Sequence, residues 1–410
     1  MINKKTNMKK LIRRIVLSVA VMLSLAGCRD DMPEMHNPMT NVNIYNWSQL
    51  FDAYWSGMNY NYTFWDIDPT DWDAVYAEYK PKFDAIADKG FNDKSTNDSA
   101  FNMIKRMSAN LIDGHFYVMI PLSDTTYIFQ PSSEKIINRP GYHNSYNIGG
   151  YLTALNKMRT DLRLTNDTIM QYTDESDGTQ VWGAAGVIDG DIIYLRFSNF
   201  FFSQYLGSDN PVDRLYRRYD DMIDNYPNVK GVIIDVRGNG GGYLADMPLI
   251  LGKLTEERTL MFYTRMKNGT GRLDYTPWTP EYLDPVERKR SLDVPVVALA
   301  DLYSVSMGEM MPMAVRTLPK GIVIGERTYG GTGQLESDNS AFEKYYGGYF
   351  AIGGKITVYT TMTMTKDVNG VNHEGIGLTP DIEVPYDEET IESGIDNQLE
   401  RAVEYIHTGR

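Results

Sequence analysis

The 410-residue chain reads as an α/β protein, with a core built on a largely parallel sheet and a helical domain ahead of it. Three observations predict this. First, Gly231 to Val236 and Val296 to Ala300 are continuous apolar runs, as in strands covered on both faces, rather than alternating ones. Second, a helical stripe (Val212, Leu215, Tyr219, Met222, Ile223, Tyr226) stands between the strand Asp191 to Phe197 and the first of those runs, so β and α alternate. Third, apolar residues recur at helix spacing through residues 46 to 112.

The chain opens with Lys4, Lys5, Lys9, Lys10, Arg13 and Arg14, the apolar run Ile15 to Ala26, and then Leu25-Ala26-Gly27-Cys28. A basic segment, a short apolar run and small residues before a cut read as a secretory signal over 1–27. Leu-Ala-Gly-Cys resembles the bacterial lipobox, which implies that Cys28 carries a lipid anchor in the cell envelope. Cys28 is also the only cysteine, which excludes an internal disulfide, a second thiol nucleophile and a thiolate metal site. Loss of 1–27 removes six basic and no acidic residues, moving the formal charge from −14 to −20. Such a chain repels nucleic acid and anionic headgroups, so the expected membrane contact is the lipid alone.

Residues 28–44, with Pro33 and Pro38, read as a tether. In the helical domain, 45–120, Asn46 caps a helix with Trp47, Leu50, Phe51, Tyr54 and Trp55 on one face. Asp68-Pro69-Thr70-Asp71 opens a second, with Trp72, Val75, Tyr76 and Tyr79. A third is expected over 95–112, stopping at Asp113-Gly114, where a glycine in the left-handed conformation would close it. His115 then emerges at a helix-to-strand corner, where a general base could stand. Residues 121–189 are polar and read as a connecting segment with one helix near 151–162.

The core is expected over 190–410. Asn210-Pro211 opens the helix of the second observation. The strand 231–236 runs into Arg237-Gly238-Asn239-Gly240-Gly241-Gly242, at the carboxyl end where open α/β sheets bind ligands. The loop lacks the Lys-Ser/Thr of a phosphate loop and the spacing of a dinucleotide fingerprint, whereas bare backbone donors suit an oxyanion. After Val296 to Ala300 comes Tyr303-Ser304-Val305-Ser306-Met307-Gly308-Glu309, a polar turn into a helix interrupted by Pro312. A serine there is a helix cap or a nucleophile at a helix N-terminus. Gly321 to Gly325, a glycine-rich loop to Gln334, an alternating stretch at 348–364, the turn His373 to Asp381 and a closing helix with Ile395, Leu399, Ala402 and Ile406 complete the chain.

Asp235-Val-Arg-Gly-Asn-Gly-Gly-Gly, Ser304-Val-Ser-Met-Gly-Glu, the Gly325 to Gln334 loop and Glu374-Gly-Ile-Gly-Leu-Thr-Pro-Asp-Ile-Glu-Val together resemble the serine peptidase family of C-terminal processing proteases and the tricorn core protease. The resemblance implies a ClpP/crotonase-like core of repeated ββα units. It implies that Ser306, three residues before Glu309, is the nucleophile, with Ser304 and Glu309 structural. Ser-Lys members carry their lysine where this chain has Gly331. The tricorn-like arrangement, with a histidine base and a distal glutamate, maps onto His115 and Glu374, although Gly114 stands where that arrangement has a relay serine. His373 is the rival base. The implied oxyanion donors are the N–H groups of Gly241 and Met307, and no cofactor or metal is implied. The expected partners are peptide or protein substrates. No carboxylate-binding loop of a PDZ domain is seen, so substrate choice would fall to residues 121–185. Two other readings are a non-catalytic lipoprotein that binds peptides or glycans and, less compatible with an envelope location, a crotonase-like acyl-CoA enzyme.

Overall fold

The computed structural model describes residues 43–123, 125–144, 148–174, 178–269, 271–334 and 347–410. The signal, Cys28 and nearly all of the tether lie outside the described residues. No helix among the described residues is long and apolar enough to cross a membrane.

The fold is α/β, as the sequence predicts. Its main sheet has seven strands in the order Ile382–Glu383, Gly321–Gly325, Val296–Ala300, Gly231–Asp235, Ile192–Phe197, Gln180–Ile188 and Leu164–Thr173. The first five pair in parallel and the last two are antiparallel. Helices cover both faces. Pro211–Asn225 and Met307–Val315 bury their apolar sides on one, Ile148–Thr160 and Asn397–Thr408 on the other. That double cover is why the central runs are apolar at every position. The parallel strands deliver Ser198, the loop after Asp235, the serine turn and the loop after Gly325 to one rim.

The stretch expected to be connecting, 121–189, supplies both antiparallel strands of this sheet, so the core sheet begins well before residue 190. Likewise Tyr117–Pro121 pairs with Ile356–Tyr359, so the sequence boundary at 120 falls inside a strand of a shared four-stranded sheet. The N-terminal helices Trp47–Asn61, Trp72–Asp84 and Lys94–Ser108 pack an aromatic core against that sheet, with Trp47, Phe51 and Trp72 meeting Phe350 and Val358 in one cluster. The first two helices begin where the sequence predicts, and the third begins one residue early, at Lys94, because Asp93 caps it. The Asn46, Asp71 and Asp93 side chains accept the N–H three residues on, each cap contributing about 1 kcal/mol.

The third helix ends at Ser108, not at Asp113. Beyond it the Asp68 carboxylate and Tyr62 hydroxyl take the N–H of Ile112, and Tyr62 also takes that of Asp113, holding the chain out of helix. Gly114 is therefore not a left-handed cap and is not among the residues with positive φ. It must be glycine for a different reason, given below. Pro312 lies inside Met307–Val315 without delaying its start.

Candidate active site

The serine turn is built by hydrogen bonds to the two loops beside it. Val305 N–H donates to Asn239 O (2.9 Å) and Ser306 N–H to Gly331 O (2.9 Å). Ser304 is a structural hydroxyl: buried, it donates to Val236 O (2.8 Å) and accepts the N–H of Asp301 (3.0 Å). Ser306 stands at the N-cap position of the helix that begins at Met307 without its side chain bonding a helix N–H, and its backbone sits at φ 58°, ψ −119°. A side chain in that region costs about 1–3 kcal/mol, strain of the kind concentrated at working sites. Met307 is the first helical residue, so its N–H has no intrahelical acceptor.

Gly241 lies directly against this serine. A Cβ on it would fall 2.7 Å from Ser306 Cβ and 3.1 Å from Oγ, so no side chain fits there. Its N–H, however, donates to Asn239 Oδ1 (2.8 Å). The Asn239 amide is itself fixed by donating to Phe197 O (2.8 Å), which aims Oδ1 at Gly241. Of the two oxyanion donors expected, Met307 stands ready and Gly241 is engaged elsewhere.

His115 reaches the same place from the N-terminal part. Its backbone N–H donates to Asp113 Oδ1 (2.8 Å), and the second Asp113 oxygen takes Thr360 Oγ1–H (2.7 Å) and Thr361 N–H (2.9 Å). The half-buried imidazole lies on Gly331, where an added Cβ would stand 3.2 Å from its Cε1 and 3.4 Å from Nδ1. Nδ1 is buried with no hydrogen-bond partner. Burial pushes the imidazole pKa below its ordinary 6.5, and the Asp113 carboxylate opposes this. The ring is thus neutral at pH 7, the form that accepts a proton.

Glu374, 4% exposed, is cradled by both loops. Oε1 accepts Gly114 N–H (2.7 Å). Oε2 accepts Thr332 N–H (2.8 Å), Thr332 Oγ1–H (3.0 Å) and Gly333 N–H (2.9 Å). Burial, then repulsion from Asp113 and Glu309, raises its pKa well above the carboxylate range, and these donors act against the rise. Gly114 is glycine because the loops touch: a Cβ would meet Gly330 O at 2.5 Å and Gly331 Cα at 2.6 Å. No relay side chain fits there, and the backbone N–H contacts the glutamate directly.

Donor atoms of Asp113, His115 and Glu374 lie within 4.8 Å of one another. Every one of those carboxylate oxygens already accepts an N–H, so the set is arranged to hold loops rather than a cation. The rival base His373 points elsewhere, its Nε2 pairing with Asp367 Oδ2 at 3.0 Å. Glu309 anchors the glycine loop, taking Thr328 Oγ1–H (2.5 Å), Gly330 N–H (2.8 Å) and Gly331 N–H (2.6 Å). Arg139 donates to Thr328 O (2.5 Å) and Tyr329 O (2.7 Å) from the other side.

The pattern that defines peptidase family S41 matches residues 191–384, and that of the tricorn protease C1 domain matches residues 45–90. The chain belongs to peptidase family S41. The family match spans the glycine loop, the serine turn and Glu374, whereas His115 lies upstream of it. Tricorn protease of Thermoplasma volcanium is 28% identical over 195 residues, covering 48% of this chain and 16% of that protein. The S41 chain therefore aligns with only about a sixth of that relative. Among solved structures, a candidate peptidase from Parabacteroides merdae superposes with a TM-score of 0.63 at 24% identity, over 90% of this chain and 98% of the other. Mature CPAF gives 0.56 at 13% identity, over 89% and 98%. At these identities the likeness establishes a shared fold.

Sequence reasoning did not single out Asn239, Asp113 or Arg139 as parts of the site. Asn239 sits in the glycine loop and Asp113 in the Asp-Gly-His step, so proximity to a motif was the available signal. Arg139 lies in a polar stretch with none.

Proposed function

We propose that the chain is an envelope-anchored serine endopeptidase in which Ser306 is the nucleophile, His115 the base and Glu374 a positioning residue. The observation that carries this reading is the imidazole lying on Gly331, the residue whose carbonyl holds Ser306 N–H. A lysine at 331 would need the space the ring fills, so the missing lysine and the histidine are two sides of one substitution.

His115 accepts the Ser306 hydroxyl proton as Oγ attacks a peptide carbonyl, then returns it to the leaving amine. Met307 N–H receives the oxyanion, a contribution of about 3 kcal/mol. A second donor is gained if Gly241 N–H is released by Asn239 when substrate enters. Water then attacks the acyl-enzyme, with His115 again taking the proton. Glu374 acts on His115 through the Gly114 backbone it fixes. The Leu-Ala-Gly-Cys step supports a lipid on Cys28 and an envelope site for this chemistry.

A fluorophosphonate probe tests the reading. The native chain should be labelled, Ser306→Ala not at all, and His115→Ala at least a hundredfold more slowly. Equal labelling of all three overturns it. In the same cells the native chain should pellet with membranes and Cys28→Ser should not; equal partitioning removes the anchor.

A further inference from the structure

A cavity of about 550 Å³ near Thr317 and Lys320 opens at the amino ends of the strands, on the far rim from Ser306. Another, of about 390 Å³, opens on the serine's own rim, at the ends of the two antiparallel strands. Its apolar lining is Ile148, Tyr172, Val181 and Trp182, of which Val181 and Trp182 are buried. Its polar lining, Gln171, Thr173, Gln180 and Ser198, carries no charge.

Contacts run without a break from this cavity to the nucleophile. Ser198 Oγ accepts Trp182 N–H (3.1 Å), and Ser198 O accepts Gly240 N–H (3.1 Å). The next residue, Gly241, touches Ser306. Aromatic side chains flank the route. Phe201 and the exposed Tyr243 pair at 5.8 Å beside the glycine loop, and Tyr172 meets Tyr205 edge-on at 5.6 Å. The Trp182 strand stands three places along the sheet from the strand that leads to Ser306, a separation of about 14 Å at ordinary strand spacing. An extended peptide advances about 3.3 Å per residue, so roughly four residues span it.

We infer that this cavity is a specificity subsite for one apolar or aromatic side chain of an extended peptide, about four residues from the bond held at Ser306. The inference rests on the peptidase reading and adds a substrate class to it. The aromatic floor gains by covering an apolar side chain, whereas an acidic or basic one would lose water with no counter-charge in the lining. Gln171 and Gln180 each offer a donor and an acceptor to the peptide backbone at the mouth.

The test uses binding to the full chain carrying Ser306→Ala, so that it does not depend on turnover. Labelled twelve-residue peptides of Gly, Ser and Thr would carry one Phe, one Asp or neither, with Kd read by fluorescence anisotropy. The Phe peptide should bind roughly tenfold more tightly than the other two. That advantage should fall below threefold when Gln180→Trp, at an exposed position, plugs the mouth, and again when Tyr172→Ala removes part of the wall. Thermal melts would establish that both variants are folded. An advantage that survives in both folded variants, or that is absent from the start, overturns the subsite. Fluorophosphonate labelling of the native chain judges the peptidase reading separately, since a chain that fails to label could still bind the Phe peptide here.

Discussion

At the scale of single residues, the site is organised by what surrounds Gly331. Its carbonyl fixes Ser306, its N–H is fixed by Glu309, and its missing side chain leaves room for His115. The state of His115 is the property most open to measurement. Burial favours the neutral imidazole, and the Asp113 charge pulls the other way. A base whose pKa is lowered is deprotonated, and so active, down to a lower pH than an ordinary histidine. The rate of fluorophosphonate labelling against pH should therefore rise through a midpoint below 6.5 and stay flat to pH 8. Asp113→Asn removes the opposing charge and should move that midpoint further down. A midpoint at or above 7, or movement upward in Asp113→Asn, would show that another group titrates. Glu309 offers no such limb of its own, because it contacts only the loop, although burial raises its pKa to about 7.

At the scale of elements, the decisive feature is the contact of two loops from opposite ends of the chain, 113–115 and 330–333, clasped by the Glu374 carboxylate. Gly114→Ser places the relay side chain that the tricorn-like arrangement would have, and here it must push Gly330 away. Overpacking of this kind costs about 1–3 kcal/mol. We expect the folded variant to melt several degrees lower and to label at least tenfold more slowly, because Gly331 carries both Ser306 and His115. Unchanged labelling would mean the clasp does not position the site. The sequence disclosed Gly114 as a glycine that mattered but not why, since a close approach over more than two hundred residues has no local signature. The parallel strands were legible, because burial on both faces leaves a continuous apolar run. The two antiparallel strands were not. Leu164–Thr173 is an edge strand with mixed exposure, and its Thr, Asn and Gln content resembles a loop. The helix end at Ser108 was missed because Leu111 and Ile112 continue the apolar spacing, while the Tyr62 and Asp68 groups that break it come from another helix–turn. In the site itself, Ser306, His115 and Glu374 do converge on one pair of loops. Asn239 capturing the Gly241 N–H depended on a side-chain direction that no motif records.

At the scale of the whole molecule, the glycine loop is held from beneath by charges buried within the fold. Asp235, at the end of its strand, takes Arg196 Nη1–H (2.6 Å) and Arg237 Nη2–H (2.6 Å), and Arg237 also reaches Asp396 (2.7 Å) ahead of the last helix. Tyr151 covers both guanidinium groups, with centroid distances of 3.9 and 4.7 Å. Burial alone would raise the Asp235 pKa, but the two guanidinium groups bring it down to about 2. A depressed carboxylate pKa contributes stability above the unfolded value near 4, and that contribution is lost as pH falls toward 2. Removing the charge at neutral pH should act more severely than acid does at pH 4, because both arginines stay ionised and buried. Asp235→Asn should therefore cost about 3–5 kcal/mol, read as a lower midpoint in urea unfolding. Arg237 is followed directly by Gly238, so the same variant should slow Ser306 labelling under conditions where the fold persists. Loss of stability with labelling intact would make the network a support of the sheet alone. Loss of both would mean that the last helix, through Asp396, and the helix Ile148–Thr160, through Tyr151, help to set the loop on which the oxyanion forms.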